Sequence, residues 1–477
     1  MYYHHINEKN KEIQLPNKWL SLLAASMGMF LATLDITVNV ALPNITSSFE
    51  TDFQTVQWII IFYVGSTTGF QISLGSAADA YGIKRFFIVG LVIYTLAVLL
   101  ISIAPLLSLV MSLRVLQAVG NGLLVASAPA LVTRAFPSSE RGKALGLMSG
   151  FGISGMLVGS LVGGLLVDSF GWRAIFAARV PIGLISVVIA LISLKETRME
   201  GVIRGFDFKG AITLFIGVAC FILALTLGGT TGWVRIPVFT FAFFSIVSLL
   251  AFVRIQKQSM NPVLEISLLK HRILTPAFAS AYLISFATFV NLFILPFFVA
   301  DIMGVNAKTW GMLLMLTPLA ASVSAPLGGW LSDRLPAAYL TTLGITIMTI
   351  VSCSFTLLNS DSTILMVAAR TACMGTGMGL FQASHTTLVM GNIPTSRLAT
   401  GGAILTMSRS MGTATSVAIM SAVLAARISS YTLTGAGEDE AFVMAFQDVY
   451  KVSTIIGGLA IAASLAYWPQ FLRSHSG

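Results

Sequence analysis

Charge is what this chain lacks. Only 10% of its 477 residues are Asp, Glu, Lys or Arg, against about 25% in a soluble domain. So few charges cannot solvate a globule of this length, so lipid must cover most of the surface. Cysteine is also scarce: Cys220, Cys353 and Cys373 lie in apolar stretches, show no CxxC or metal-ligand spacing, and read as small buried apolar residues. His4 and His5 form a lone pair near the terminus, and no metal site is expected. Nor is there a GxxxxGK[ST] sequence, which argues against ATP as a driver. HExxH and GxSxG are missing too, and the loops are too short for an enzyme domain, so no catalytic residues are assigned. No cleavable signal peptide is visible; the first apolar run serves as its own insertion signal.

What is present is apolar. The chain is 56% hydrophobic, with a mean hydropathy of +0.87. Its 42 glycines and 15 prolines fit membrane helices, where both residues are commoner than in soluble ones. A span needs roughly 20 mostly apolar residues. That rule predicts spans at 19–42, 54–76, 86–104, 107–132, 144–167, 174–194, 209–228, 236–254, 273–299, 309–331, 338–358, 363–389, 399–427 and 447–470. The fold class is therefore an all-α polytopic membrane protein. The 20 Met and 31 Phe suit either an adaptable apolar pocket or plain lipid-facing surface.

The net charge of +9 reflects topology and does not point to nucleic acid, because no basic stripe with interleaved aromatics occurs. With the N-terminus inside, most Lys and Arg fall in inner loops, among them Lys84, Arg85, Arg134, Arg141, Lys143, Lys195, Arg198, Arg204 and Arg334. The outer side holds only Arg173, Arg235, Lys308, Arg427 and Lys451. This bias places both termini in the cytoplasm.

An internal repeat divides the chain. The stretch from Gly75 through Asp79 to Gly82 follows the second span; Gly329 through Asp333 and Arg334 follows the tenth. Both are small, turn-forming loops bearing an aspartate. The expected organisation is a cytoplasmic segment 1–18, a six-helix bundle 19–194, a linker with two extra spans 195–272, a second six-helix bundle 273–470 and a tail 471–477. Parallel halves of this kind place a solute site between them.

Asp35 is the most informative residue. It stands about 24 Å along the first span if residue 19 marks the inner boundary, where an ionised carboxylate is costly and usually kept for work. A carboxylate whose proton affinity changes between two conformations is a proton carrier; a structural acid fixed to one arginine is the alternative. Asn39 shares its helix face. Arg114, Gln117 and Asn121 form a polar stripe on the apolar fourth span, which must face protein or a water-filled cavity. Gly155, Gly159 and Gly163 recur every four residues and make a groove for close helix packing. Arg179 either meets Asp35, repels a cation or binds an anion in the site, or snorkels to the outer boundary. Phe381, Gln382 and His385 share the twelfth span. His385 either titrates near neutral pH or is a hydrogen-bonded structural residue. Arg409 is expected to pack in the bundle interior.

These residues resemble a known family. Leu34 to Pro43 resembles the first-helix signature of the fourteen-helix drug:proton antiporters of the major facilitator superfamily. Gly75 to Arg85 resembles that superfamily's loop motif, and Arg114 to Gly120 its fourth-helix motif. The stripe from Gly155 to Gly164 resembles the antiporter motif, and Gly375 to Phe381 also falls where this family has similar residues. The resemblance implies two six-helix bundles plus two central helices. It implies a proton-coupled exporter of small amphipathic compounds in the cytoplasmic membrane, working as a monomer on proton-motive force without a cofactor. Asp35 and Arg114 would couple protons. Asn39, Gln117, Asn121, Arg179, Phe381, Gln382 and His385 would line the substrate cavity. Asp79, Gly82, Arg85, Asp333 and Arg334 would gate the inner side, and the glycine stripe would lie between the halves and help close the outer side. Three positions depart from the family pattern: Ser160 stands in place of a proline, Ala80 in place of an arginine and Arg179 in place of an asparagine. An importer, a solute:cation antiporter and a non-transporting sensor with the same fold are the alternatives.

Overall fold

A computed structural model describes residues 18–194, 205–305 and 307–468. The terminal segments before and after these bounds, and Lys195, Arg198 and Arg204 of the linker, lie outside the described residues. Among the described residues every regular element is helical.

The N-terminal half comprises α1 (Lys18–Thr33), α2 (Thr37–Ser48), α3 (Phe53–Tyr81), α4 (Ile83–Ser102), α5 (Leu107–Ala135), α6 (Arg141–Phe170), α7 (Arg173–Ala177) and α8 (Arg179–Ser193). Two further helices follow, α9 (Phe208–Thr231) and α10 (Ile236–Gln258). The C-terminal half contains α11 (Leu274–Phe293), α12 (Leu295–Phe297), α13 (Ala307–Ser332), α14 (Ala337–Phe355), α15 (Ile364–Asn392), α16 (Leu398–Leu433) and α17 (Glu438–Leu465). Thirteen of the described helical segments are long and apolar enough to cross a membrane. The expected first span supplies the fourteenth, but not as one helix: a 3-10 turn at Leu34–Ile36 separates α1 from α2. A short 3-10 stretch inside a helix marks a hinge or a functional constraint, and here it carries Asp35.

The expected spans are otherwise met with shifted ends. The last begins at Glu438, because three acidic residues suit a helix N-terminus. The ninth is interrupted at Ile294, just before Pro296, and passes into a π-helical turn, Phe298–Ile302. Glycine at the α3–α4 junction is required, since Gly82 has φ 117°.

The extra pair is built around Asp207. Its carboxylate caps α9 at the Gly210 N–H (2.8 Å) and accepts from Gln256 Nε2 of α10 (2.9 Å). Ser245 and Ser248 of α10 donate to the carbonyls of Gly217 and Thr213. In a lipid-facing pair, such bonds and close glycine packing replace the hydrophobic drive. α9 touches α3 of one half and α16 of the other.

Cysteine burial departs from expectation. Cys353 and Cys373 are exposed on the helix surface, and Cys220 is half-buried. In a membrane chain the apolar exterior suits cysteine as well as the core does.

Candidate functional site

We call the end of the bundle where α1 begins the near end and the opposite one the far end. Four buried side chains from three helices converge on Asp35. Arg179 of α8 donates Nη1 to Oδ1 at 2.5 Å. Arg114 of α5 donates to the same oxygen at 3.1 Å, and Gln117 Nε2 at 2.8 Å. Tyr63 of α3 donates its hydroxyl to Oδ2. Gln117 also accepts from Arg114 (2.7 Å), and Asn121 Nδ2 donates to the Tyr63 oxygen (2.7 Å). The Arg114 guanidinium lies 3.9 Å from the Tyr63 ring centroid. A carboxylate accepts all of these bonds without giving up a proton of its own, so the geometry suits its ionised form.

The break in the first span is part of the same site. A 3-10 turn leaves backbone carbonyls without their usual partners. Arg179 Nη2 donates to the Leu34 carbonyl (3.0 Å) and to Thr37 Oγ1, and Thr37 itself donates to the Leu34 carbonyl. Arg179 thus holds both the Asp35 charge and the hinge that presents it. Its buried position, 2% exposed, rejects the snorkelling alternative.

The expected site residues separate into two groups. Asp35, Arg114, Gln117, Asn121 and Arg179 come together. The Asn39 side chain lies outside the described part. Tyr63, Tyr94 and Thr37 join the cluster without having been expected. Their signal was a phenol or hydroxyl inside an apolar run, which needs a partner when buried. The C-terminal trio behaves differently. His385 is fully buried, with Nε2 donating to the Ala277 carbonyl (3.0 Å) and its ring stacked on Phe381. Phe381 is 4% exposed. Both belong to the interior of the C-terminal half and do not line an open cavity, which corrects the expectation; the His385 ring is a hydrogen-bonded packing element between α15 and α11. Gln382 alone keeps a partly exposed side chain.

The near end is sealed by two reciprocal caps. Asp79, at the end of α3, accepts from the backbone N–H groups of Ala399 (3.0 Å) and Thr400 (2.7 Å) at the start of α16. Asp333, just past α13, accepts from Gly142 (2.6 Å) and Lys143 (2.8 Å) at the start of α6. The two stretches expected as loops are mostly helical, the last turns of α3 and α13, and each aspartate holds the exposed N-terminus of a helix in the other half, where unpaired N–H groups and the helix dipole favour a carboxylate. Burial pushes the Asp333 carboxyl above its ordinary value, while the two N–H donors pull it back. Arg134 adds a bond across the halves to the Thr395 carbonyl (3.1 Å). Arg334 stays on its own side: it is exposed and its guanidinium lies 3.6 Å from the ring centroid of Trp330 in the preceding helix, α13. Arg85 is exposed on the first turn of α4.

Removing one cap with Asp79→Ala or Asp333→Ala should cost the sealed state about 1 kcal/mol. Near-end labelling of a cysteine placed in the cleft should rise about fivefold for each, and the double variant should add both effects. Equal labelling in all three variants and wild type would remove the capping role.

Helix α6 links seal and site. At Gly142, Gly146 and Gly150 it packs on α13; a Cβ at Gly146 would lie 2.7 Å from the Gly329 Cα and 2.8 Å from the Ala325 carbonyl. Ile153 joins Ala321, Ala325 and Ala383 in one buried cluster. Further along the same face, Leu157, Ser160 and Gly164 are only partly buried, and a Cβ at Gly164 would meet nothing within 4 Å. The halves therefore part toward the far end. Gly155 and Gly163, expected between the halves, face their own half instead. A Cβ at Gly155 would meet Thr33 and Phe30, and one at Gly163 would meet Thr37. Gly159 is buried in the same helix. The inter-half groove is made by the three earlier glycines, because α6 crosses α13 in its first half and α1 in its second.

Residues 20–417 match the family described as Major Facilitator Superfamily. A riboflavin transporter, RibZ, of Clostridioides difficile (strain 630) is 26% identical over 93% of this chain and 96% of its own length. The multidrug resistance protein Stp of Mycobacterium tuberculosis (strain CDC 1551 / Oshkosh) is 27% identical over 86% of this chain and 76% of its own. A crystal structure of the human organic anion transporter MFSD10 superposes with a TM-score of 0.64 at 13% identity, over 93% of this chain and all of that one; this likeness concerns the fold alone.

Proposed function

Since this chain belongs to the major facilitator superfamily, a family of membrane transporters, we propose that it exports small amphipathic compounds across the cytoplasmic membrane in exchange for protons, by alternating access. The observation that carries the reading is the buried Asp35, held by Arg114, Arg179, Gln117 and Tyr63 beside a helix break. Both termini are cytoplasmic in this reading, the near end faces the cytoplasm, and one chain suffices.

The mechanism follows from the contacts. With the near end sealed, Asp35 takes a proton from the far side. A neutral carboxyl holds two guanidinium groups far less strongly than a carboxylate does. Arg179 then loosens from Asp35, and the hinge at Leu34–Ile36 is free to shift. Thr33 and Thr37 flank that hinge and touch α6 at Gly155 and Gly163, and Thr33 donates to the Gly152 carbonyl (2.5 Å). A displaced hinge moves α6 as a rod and prises Gly142, Gly146 and Gly150 away from α13. Opening to the cytoplasm releases the proton and admits the solute, whose binding favours the return. Such coupling requires that proton and solute each prefer a different conformation.

The relative named as a multidrug resistance protein supports export; the one named as a riboflavin transporter keeps import as a second reading. The sign of the gradient decides. In everted vesicles, an exporter should accumulate a fluorescent dye only when the lumen is acidic, and a proton uncoupler should abolish the accumulation. Accumulation that needs an alkaline lumen would favour import, and no flux under either gradient would favour a non-transporting role.

A further inference from the structure

One deep charge has no counter-charge among the described residues. Asp35 answers Arg114 and Arg179, and a third guanidinium, Arg409, stands in α16 with no ion pair among the described residues. Its Nε is buried without a hydrogen-bond partner. Its Nη2 reaches only His385 Nδ1 at 3.5 Å and Thr386 Oγ1 at 3.4 Å, both long. The guanidinium carbon lies 5.6 Å from the Phe381 ring centroid. His385 supplies no negative charge, because an imidazole is either neutral or cationic.

Position places this cation in the cleft. Gly402, seven residues earlier on the same face of α16, meets the Ala126 carbonyl of α5 across the halves. Arg409 therefore lies two turns, about 10 Å, beyond that contact toward the far end, where its side chain is only partly buried. It is also about 17 Å into α16 from Leu398, deeper than the headgroup layer outside a hydrocarbon core of about 30 Å. A guanidinium at that depth is costly and needs a counter-charge, which no described residue provides. The one carboxylate in the buried cluster of the N-terminal half, Asp35, is already taken by Arg114 and Arg179.

We propose that Arg409 anchors an anionic group, a carboxylate, sulfonate or phosphate, on the transported solute. This rests on reading the chain as a solute transporter and names the charge class of its cargo. A guanidinium binds such groups through two parallel N–H donors, and the unpaired Nε supplies one of them. Cationic amphiphiles meet net repulsion in the same cleft.

The test uses the full-length protein in phosphatidylcholine nanodiscs and two xanthene dyes of similar frame, anionic fluorescein and cationic rhodamine 123, with binding read by fluorescence anisotropy. Wild type should bind fluorescein at least about tenfold more tightly than rhodamine 123. Arg409→Gln should lose about tenfold or more for fluorescein while rhodamine 123 changes by less than about twofold, and Arg409→Lys should recover part of the loss. If Arg409→Gln fails to fold, the charge preference of wild type decides. Equal or tighter rhodamine 123 binding by wild type overturns the proposal. So does fluorescein binding that survives Arg409→Gln, or no fluorescein binding at all. Displacement of the dye on adding phosphatidylglycerol to the discs assigns the site to lipid, which also overturns it. No proton gradient is present, so a failure of proton-coupled export leaves this result unchanged, and the two readings fail separately.

Discussion

Asp35→Asn should abolish gradient-driven accumulation of solute, by about a hundredfold or more, and lower stability at the same time. The two losses have different causes. Asparagine cannot change its charge with pH, so the exchanged proton has no carrier. It also leaves Arg114 and Arg179 buried without their shared counter-charge, and breaking a buried ion pair from one side costs about 3–5 kcal/mol. Adding Arg179→Gln removes one of the stranded charges. The double variant should therefore regain thermal stability while remaining uncoupled, because contacting residues couple non-additively in stability. A double variant that regained both stability and uphill transport would show that Asp35 serves only to neutralise Arg179.

Gly146→Leu should prevent the near end from closing. The introduced side chain would start 2.7 Å from the Gly329 Cα and 2.8 Å from the Ala325 carbonyl, backbone that cannot yield without separating α6 from α13. Overpacking of this kind costs about 1–3 kcal/mol or more, all of it charged to the sealed state and none to one open at the near end. Ser410→Cys reports on the outcome, since Ser410 lies two turns beyond Ala403, which packs on Gly75 of α3. On a background lacking Cys220, Cys353 and Cys373, a membrane-impermeant maleimide applied at the near end should label it at least about tenfold faster in Gly146→Leu than with glycine present. Transport should fall in parallel. Gly164→Leu, with open space around it in this state, should leave near-end labelling unchanged. Equal labelling in Gly146→Leu and its parent would mean that the glycine groove does not form the seal.

Much of the architecture was legible because lipid imposes a simple rule: backbone groups must bond within their own helix. Long apolar runs then announce themselves, and the two Asp-bearing stretches expose the repeat. Local pattern also found half of the site, since Arg114, Gln117 and Asn121 share a helix face and Asp35 is the one acid deep in the first span. What escaped notice depends on how helices cross. Tyr63 and Tyr94 look like ordinary span residues until α3 and α4 bring them to Asp35 and Arg179. No periodicity reveals that the first span breaks at Leu34–Ile36, because apolar residues flank the turn on both sides. Spacing misplaces the glycine stripe for the same reason: it shows that some helix packs closely, and only the crossing of α6 with α1 and α13 shows which. In the C-terminal half the histidine stands out in sequence as a titratable group, yet it is Arg409, expected to pack in the interior, that lies deep in a span without a counter-charge among the described residues.

The whole account turns on a proton leaving and rejoining Asp35 as solute moves. Purified protein in liposomes loaded with a pH-sensitive dye measures this directly. With a transported solute added on one side and no imposed gradient, wild type should move protons in the direction opposite to the solute, and Asp35→Asn should show solute movement without any pH change. Solute-dependent proton movement that persists undiminished in Asp35→Asn, or none in wild type while solute crosses, would contradict it.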